Sequence, residues 1–270
     1  APAGGASLGL AIFPVDDPVG GAEAYEGYAD AALFRAKGTG RNPVQRYEPA
    51  MTRHMRRRLE LEGELRVAVE ARALEVWLQP QFDVADGRPL SAAAGRPLRL
   101  AVNVSPAQFH HHDVTSMLRD ALSRFPVPEG GLEVELTESV LMLDPDTMRA
   151  RLGELRALGT RIAIDDFGTG YSSLSALRRY PLDWLKIDRT FVADLARDPS
   201  ALVIADTILA MARALGLRTM AEGVETVEQL EVLKQRGCTG FQGFLRSGAI
   251  PIPELLRRLQ AEPVAAGFPR

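Results

Sequence analysis

Thr160-Arg161-Ile162-Ala163-Ile164-Asp165-Asp166-Phe167-Gly168-Thr169-Gly170 reads as an apolar strand that ends on two adjacent aspartates and runs into glycines. A charged side chain inside an otherwise apolar strand is costly unless it is paired or binds a metal. The glycines allow backbone conformations that other residues disfavour, as a mobile active-site loop needs. Outward in both directions the same pattern recurs. The apolar run at residues 132–136 carries Glu135 near its end, and residues 183–187 carry Lys186. Further out, residues 98–104 carry Asn103, residues 217–222 end on Glu222, and residues 238–242 end on Gln242. Residues 74–82 read as one more strand, the first of the run.

Helical segments separate these strands. Asp144 is placed as an N-cap with Pro145 at the first helical position; Met148, Leu152 and Leu155 form one face, and Gly159 ends the helix. Thr226 with Gln229 forms a capping-box pattern closed by Gly237. Residues 201–215 form a long, mostly apolar helix stopped by Gly216. Strand and helix alternating this often predict an α/β fold, a parallel sheet covered by helices. Seven strands in one run point to a TIM-like (β/α)8 barrel more than to an open sheet.

In such a barrel the strand ends lie on one face, where active sites are built. Asn103, Glu135, Asp165, Asp166, Lys186, Glu222 and Gln242 are then gathered at one mouth. Several carboxylates and an amide converging with one lysine suit hard divalent cations, Mg²⁺ or Mn²⁺. Adjacent aspartates suit two metals about 4 Å apart, the arrangement that stabilises attacking and leaving oxygens in phosphoester hydrolysis.

The 270 residues are 46% hydrophobic and 25% charged, enough for a sizeable core and against disorder. With a net charge of -3 and 6% aromatic residues, neither a basic stripe for duplexes nor a stacking platform for single strands is available, so no nucleic-acid polymer is expected. No apolar stretch reaches the roughly 18 residues that would span a membrane, and no signal peptide is read at the start. One cysteine, Cys238, fits a reducing compartment, and a cytoplasmic location is expected. His110-His111-His112 reads as a solvated helix start before the N-cap Asp113, and Arg56-Arg57-Arg58 as a solvated helix face. Residues 1–50 read as strand 7–13, helix 22–37 and strand 44–47, followed by a highly charged helix at 51–72.

Asn103-Val104-Ser105, Glu135-Leu136-Thr137-Glu138-Ser139, Asp165 through Ser173, Leu185-Lys186-Ile187-Asp188, Ala221-Glu222-Gly223-Val224-Glu225, Gln242-Gly243-Phe244 and Gln79-Pro80 closely resemble the EAL-domain family of cyclic-di-GMP phosphodiesterases. The resemblance implies a modified (β/α)8 barrel with an antiparallel first strand, and metal-assisted hydrolysis of cyclic-di-GMP to the linear dinucleotide. It implies that Asn103, Glu135 and Asp165 ligate a first metal and that Asp165 and Asp166 ligate a second. Lys186 would hold the attacking water, Glu222 would be a further catalytic carboxylate, and Gln242 a water-mediated partner. Gln79 would contact substrate. Glu138 would anchor the 166–173 loop, and the region around that loop would pair two copies into a homodimer.

Residues 1–50 resemble the tail of a GGDEF diguanylate cyclase domain through Ser7-Leu8-Gly9, Ala29 through Phe34, and Ala36-Lys37 with Gly40-Arg41-Asn42. The half with the GGDEF motif is absent, so synthesis of cyclic-di-GMP is excluded for this chain. Residues 51–270 then form the EAL-type barrel domain.

The Glu-Ala-Leu signature is missing. Asp86-Gly87-Arg88-Pro89-Leu90 matches the turn before the second strand, and residues 91–97 then lead straight into the strand at 98. About one βα unit is absent near 91–97, and the barrel region of about 220 residues is short of the roughly 250 usual for this fold. The resemblance implies loss of a first-metal glutamate and of a nearby Arg-Trp ligand contact. A site short of a charged ligand holds metal less well, and a barrel short of a strand has an open seam. Asp83 and Asp86 are the local acids that could stand in, and both are expected at the wrong end of the barrel. Two readings stay open: a phosphodiesterase with impaired catalysis, or a non-catalytic module that binds the nucleotide or a protein partner.

Overall fold

A computed structural model describes residues 6–13, 15–17, 21–38, 44–90, 98–142, 145–168 and 177–261. The Asp144 cap, the 91–97 junction and most of the 166–173 loop lie outside the described residues. The chain falls into two compact units, Ala1–Glu75 and Val76–Arg270.

In the first unit, strands β1 (Leu8–Leu10) and β2 (Val44–Arg46) pair in parallel, joined by helix α1 (Ala22–Gly38). Helix α2 (Pro49–Glu70) follows, with proline in its first turn, where no backbone N–H is missed. The core is small: Ala31, Ala32, Tyr47 and Met51, with Tyr28 stacked on Tyr47 at 4.3 Å. Arg57 and Arg58 are exposed and pair along α2 with Glu60 and Glu62, as a solvated face requires.

The second unit holds β3 (Trp77–Leu78), β4 (Phe82–Asp83), β5 (Leu100–Val104), α3 (Pro106–His111), α4 (Val114–Arg124), β6 (Leu132–Thr137), α5 (Pro145–Ala157), β7 (Arg161–Phe167), β8 (Trp184–Ile187), α6 (Arg189–Ala193), α7 (Pro199–Ala214), β9 (Arg218–Ala221), α8 (Val227–Gln235), β10 (Gly240–Phe241), β11 (Ile250–Pro251) and α9 (Ile252–Ala261). Seven strands form one sheet in the order β4-β10-β9-β8-β7-β6-β5. All pairs are parallel except β4 with β10, so the first strand is antiparallel as expected. β4 and β5 stand at the two ends of this strand order and, among the described residues, do not pair with each other.

Pro89 forms an isolated antiparallel bridge with Phe82 of β4. Gly87, at φ 68, turns the chain; Asp83 N donates to Arg88 O at 2.8 Å and Leu90 N to Gln81 O at 2.9 Å. At the other edge, β5 is exposed: Leu100 and Val102 retain 43% and 37% of their surface.

Residues 74–82, read as one strand, are two. β3 pairs with β11 in a separate sheet and β4 joins the main one. Pro80, which has no N–H for a ladder, sits between them.

Packing follows strand alternation. Val134, Leu136, Ile162, Ile164, Leu185 and Ile187 are fully buried on the face that α5, α6, α7 and α8 cover through Leu152, Val192, Leu209 and Leu233. The opposite face carries Ala163, Trp184 and Met220, with Leu90 packed against them. The caps read from sequence hold: the Thr226–Gln229 capping box starts α8, and Asp113 accepts from Ser116 N at 3.0 Å to start α4. His110 and His111 are solvated as expected but end α3 rather than start a helix, and Cys238 is buried and free. Among the described residues, no helix is long and apolar enough to cross a membrane.

Candidate metal centre

Alternation puts Glu133 and Glu135 of β6, Asp165 of β7 and Lys186 of β8 on the same face as Ala163 and Trp184. Glu222 follows β9 directly, held by its N–H to Ile187 O at 3.1 Å. The Lys186 ammonium lies 2.6 Å from Glu135 Oε2, 3.2 Å from Asp165 Oδ1 and 2.5 Å from Glu222 Oε1. Lys186 and Glu135 are 3% and 4% exposed, so this is a desolvated ion cluster rather than a surface pair.

Adjacent residues of a regular strand point to opposite faces. β7 escapes this through a bulge. Ile164 is opposite Leu185 and Phe167 is opposite Ile187, so β7 carries one extra residue there. Ile164 and Phe167 both stay in the core. Asp166 adopts φ 54, in the left-handed region. The carboxylates of Asp165 and Asp166 therefore reach one cluster with Glu222, each offering an oxygen within 4.8 Å of the others.

Burial raises the pKa of Glu135, while Lys186 and a hydrogen bond from Asn103 oppose the rise. Burial raises that of Glu222 as well, opposed by Lys186 and reinforced by Asp165. For Asp166 the causes are burial, then the charges of Asp165 and Asp188. Burial pulls the Lys186 pKa down, but Glu135, Glu222 and Asp165 together outweigh it and hold the ammonium above its ordinary value. Below this layer Glu133 is pushed up to about 7, by burial first and then by the Glu135 charge.

These residues fit a divalent cation. The donors are all oxygens, the set hard cations prefer. Glu135 Oε1 is buried without a hydrogen-bond partner, which a bound ion or its water would relieve. Asp165, Asp166 and Glu222 already converge on a common point.

Asn103 is in register with Glu135 across β5 and β6. Glu138 is 4% exposed and its Oε2 accepts from Gly168 N at 3.2 Å. Gln79 and Gln242 form a second, amide group: Gln242 Nε2 donates to Gln79 Oε1 at 2.9 Å, and Gln79 Nε2 to Ser247 O at 3.1 Å. Asp83 is paired with Gly240 at the opposite end of β10 from Gln242, and its Oδ1 caps the turn at Ala85 N. Asp86 accepts from Arg88 N in the same turn, so both acids are engaged by the turn itself.

Sequence reasoning assigned no role to two residues here. Asp188 caps α6 through Thr190 N and is hydrogen-bonded to Asp166. Gln81 Nε2 donates to Gln242 Oε1 at 3.2 Å. Asp188 stands two residues after Lys186 in a quoted motif; for Gln81 the signal was its place two residues after Gln79, on the same side of an extended segment.

Residues 90–249 match the EAL domain family. The bifunctional diguanylate cyclase/cyclic di-GMP phosphodiesterase MucR of Pseudomonas aeruginosa is 35% identical over 302 residues, covering 93% of this chain and 44% of that protein. The chain thus spans less than half of that relative, and the aligned stretch is longer than the chain itself, so the relative carries residues absent here. A solved structure described as PaMucR phosphodiesterase in complex with c-di-GMP superposes with a TM-score of 0.68 at 33% identity, over 73% of this chain and 99% of that one. BlrP1 of Klebsiella pneumoniae, in a manganese and cyclic-di-GMP complex, gives 0.58 at 29% identity, over 65% and 56%.

Proposed function

The chain belongs to the EAL domain family, and on that premise we propose that it hydrolyses cyclic di-GMP to the linear dinucleotide with Mg²⁺ or Mn²⁺. The observation that carries this reading is the cluster of Glu135, Asp165, Asp166 and Glu222 around Lys186 at one end of the parallel sheet. Asp165, Asp166 and Glu222 would hold metal, with Asn103 and Glu135 beside them at a first site weakened by the missing signature glutamate. Bound divalent cations supply charge stabilisation at the phosphoryl oxygens and acidify water.

The chain's own groups do the rest. Lys186 donates hydrogen bonds to the attacking water and orients it toward phosphorus. Water adds to phosphorus as one bridging P–O3′ bond breaks, and the proton the water gives up passes through the carboxylate cluster to the departing O3′, which leaves as a hydroxyl. Gln79 and Gln242 orient the nucleotide, and Glu138 holds the start of the loop through Gly168. Residues 1–50 are a GGDEF-domain remnant and residues 51–270 an EAL-type domain with a deletion near 91–97. The missing glutamate slows turnover, two copies pair through the 166–173 region, and the protein works in the cytoplasm.

The test is Mn²⁺-dependent conversion of cyclic di-GMP by the purified chain, followed by chromatography. Turnover that chelation and Asp165→Asn both abolish supports the reading. Nucleotide binding without turnover converts it to a non-catalytic module, which the loss of the signature glutamate favours.

A further inference from the structure

We infer that Gln81 is a positioning residue that acts through Gln242, whose amide plane it fixes for the nucleotide. The inference rests on the cyclic di-GMP reading above and adds a residue to it.

The antiparallel first strand brings the two together. Phe82 of β4 pairs with Phe241 of β10 and Asp83 with Gly240, so the register carried one step further sets Gln81 opposite Gln242. Gln242 N donates to Ala221 O at 2.8 Å, so the pair stands beside the strand end that carries Glu222.

Four groups then form one directed chain. Gln81 Nε2 donates to Gln242 Oε1 at 3.2 Å, Gln242 Nε2 to Gln79 Oε1 at 2.9 Å, and Gln79 Nε2 to the Ser247 carbonyl at 3.1 Å. A carbonyl only accepts, so Ser247 sets the polarity. Gln79 turns its NH2 to Ser247 and its oxygen to Gln242; Gln242 turns its own NH2 to Gln79 and its oxygen to Gln81. Both ends of the chain are held: Ser247 is buried, and Gln81 O accepts from Leu90 N at 2.9 Å.

The last torsion of a glutamine is broad, and a single hydrogen bond leaves the amide free to swing about it. A second bond at the other end of the amide removes that freedom, and for Gln242 the second bond comes from Gln81. One N–H and one oxygen lone pair of Gln242 are then left, in fixed directions, for a ligand.

The experiment is a double-mutant cycle on the full chain, with cyclic di-GMP affinity read by calorimetry in Ca²⁺. Gln81→Met should weaken binding three-fold or more, and Gln242→Met at least as much. In the Gln242→Met background Gln81→Met should cost less than two-fold, because the amide it serves is gone. A residue that merely supported the fold would cost the same in both backgrounds. Equal costs in the two backgrounds, or a smaller loss for Gln81→Met alone, overturn the inference. Side-chain amide spectra of ¹⁵N-glutamine-labelled protein need no ligand. Gln81→Met should shift the Gln242 resonance pair, assigned by its disappearance in Gln242→Met, and an unmoved pair overturns the inference as well. Should the double variant fail to fold, the Gln81→Met affinity and the spectra still decide. Native protein that binds no cyclic di-GMP sinks the phosphodiesterase reading, and the spectra then decide this inference by themselves.

Discussion

The Lys186 ammonium lies 2.5 Å from Glu222 Oε1, closer than to either of the other carboxylates it serves. β8 and the residue after β9 are thus tied together at the point where the sheet presents its acids. Replacing the lysine leaves three carboxylates with no counterion in a desolvated site. Lys186→Met should cost about 3–5 kcal/mol, the penalty for breaking a buried pair from one side. Urea unfolding of both proteins in chelator measures it, and added Mn²⁺ should restore part of the loss. An unchanged midpoint would mean that the acids are neutral in the native chain.

Glu133 gives the fold a pH dependence. Its carboxyl is held near 7 in the folded chain against an ordinary 4.5. Between those values the folded state binds more protons than the unfolded one, so stability falls as pH rises through the window. Glu133→Gln should raise stability at pH 8 by up to about 3 kcal/mol, the gain shrinking toward pH 5. Denaturant midpoints at three pH values check the slope, and a gain that grows on acidification contradicts it.

Gly168 and Gly153 should respond to alanine in opposite directions. Gly168 has φ 98, and a Cβ there would meet the Phe191 ring at 2.8 Å. Gly168→Ala should destabilise by about 1–3 kcal/mol and disturb the Glu138 contact. Gly153 lies inside α5 with nothing within 4 Å of a new Cβ, so Gly153→Ala should stabilise by about 0.5–1 kcal/mol. Thermal melts of the two variants report both signs.

The exposed edge at β5 should make the chain sticky. Leu100 and Val102 line a strand that, among the described residues, pairs only with β6. Open apolar edges template association, and a lysine blunts them. Val102→Lys should shift sedimentation toward smaller species and raise the concentration at which the protein precipitates. No shift would mean that this edge takes no part in association.

Most of the sheet was legible because buried parallel strands read as near-continuous apolar runs. β6 through β9 fall within one or two residues of their predicted bounds, and the caps at Thr226 and Asp113 were visible in local sequence. The first strand misled because Val76 through Leu78 and Phe82 bracket it with apolar residues, and Pro80 between them hints at the break; partners distant in sequence, β11 and β10, decide it. That the acids converge could be read from their repeated place at strand ends. That Lys186 bridges three of them could not, since side-chain reach across β6 to β9 depends on register. Nor could the bulge, because the adjacent aspartates carry no sign of which would turn.

That bulge sets what codon 166 can tolerate. With φ at 54, the backbone there favours glycine, asparagine and aspartate, while ion capture requires a short anionic arm. Glutamate keeps the charge and sacrifices the conformation; asparagine does the reverse. A saturation library at this one position, sorted first for folding and then for Mn²⁺ retention, should therefore pass through a small set of survivors and leave aspartate alone.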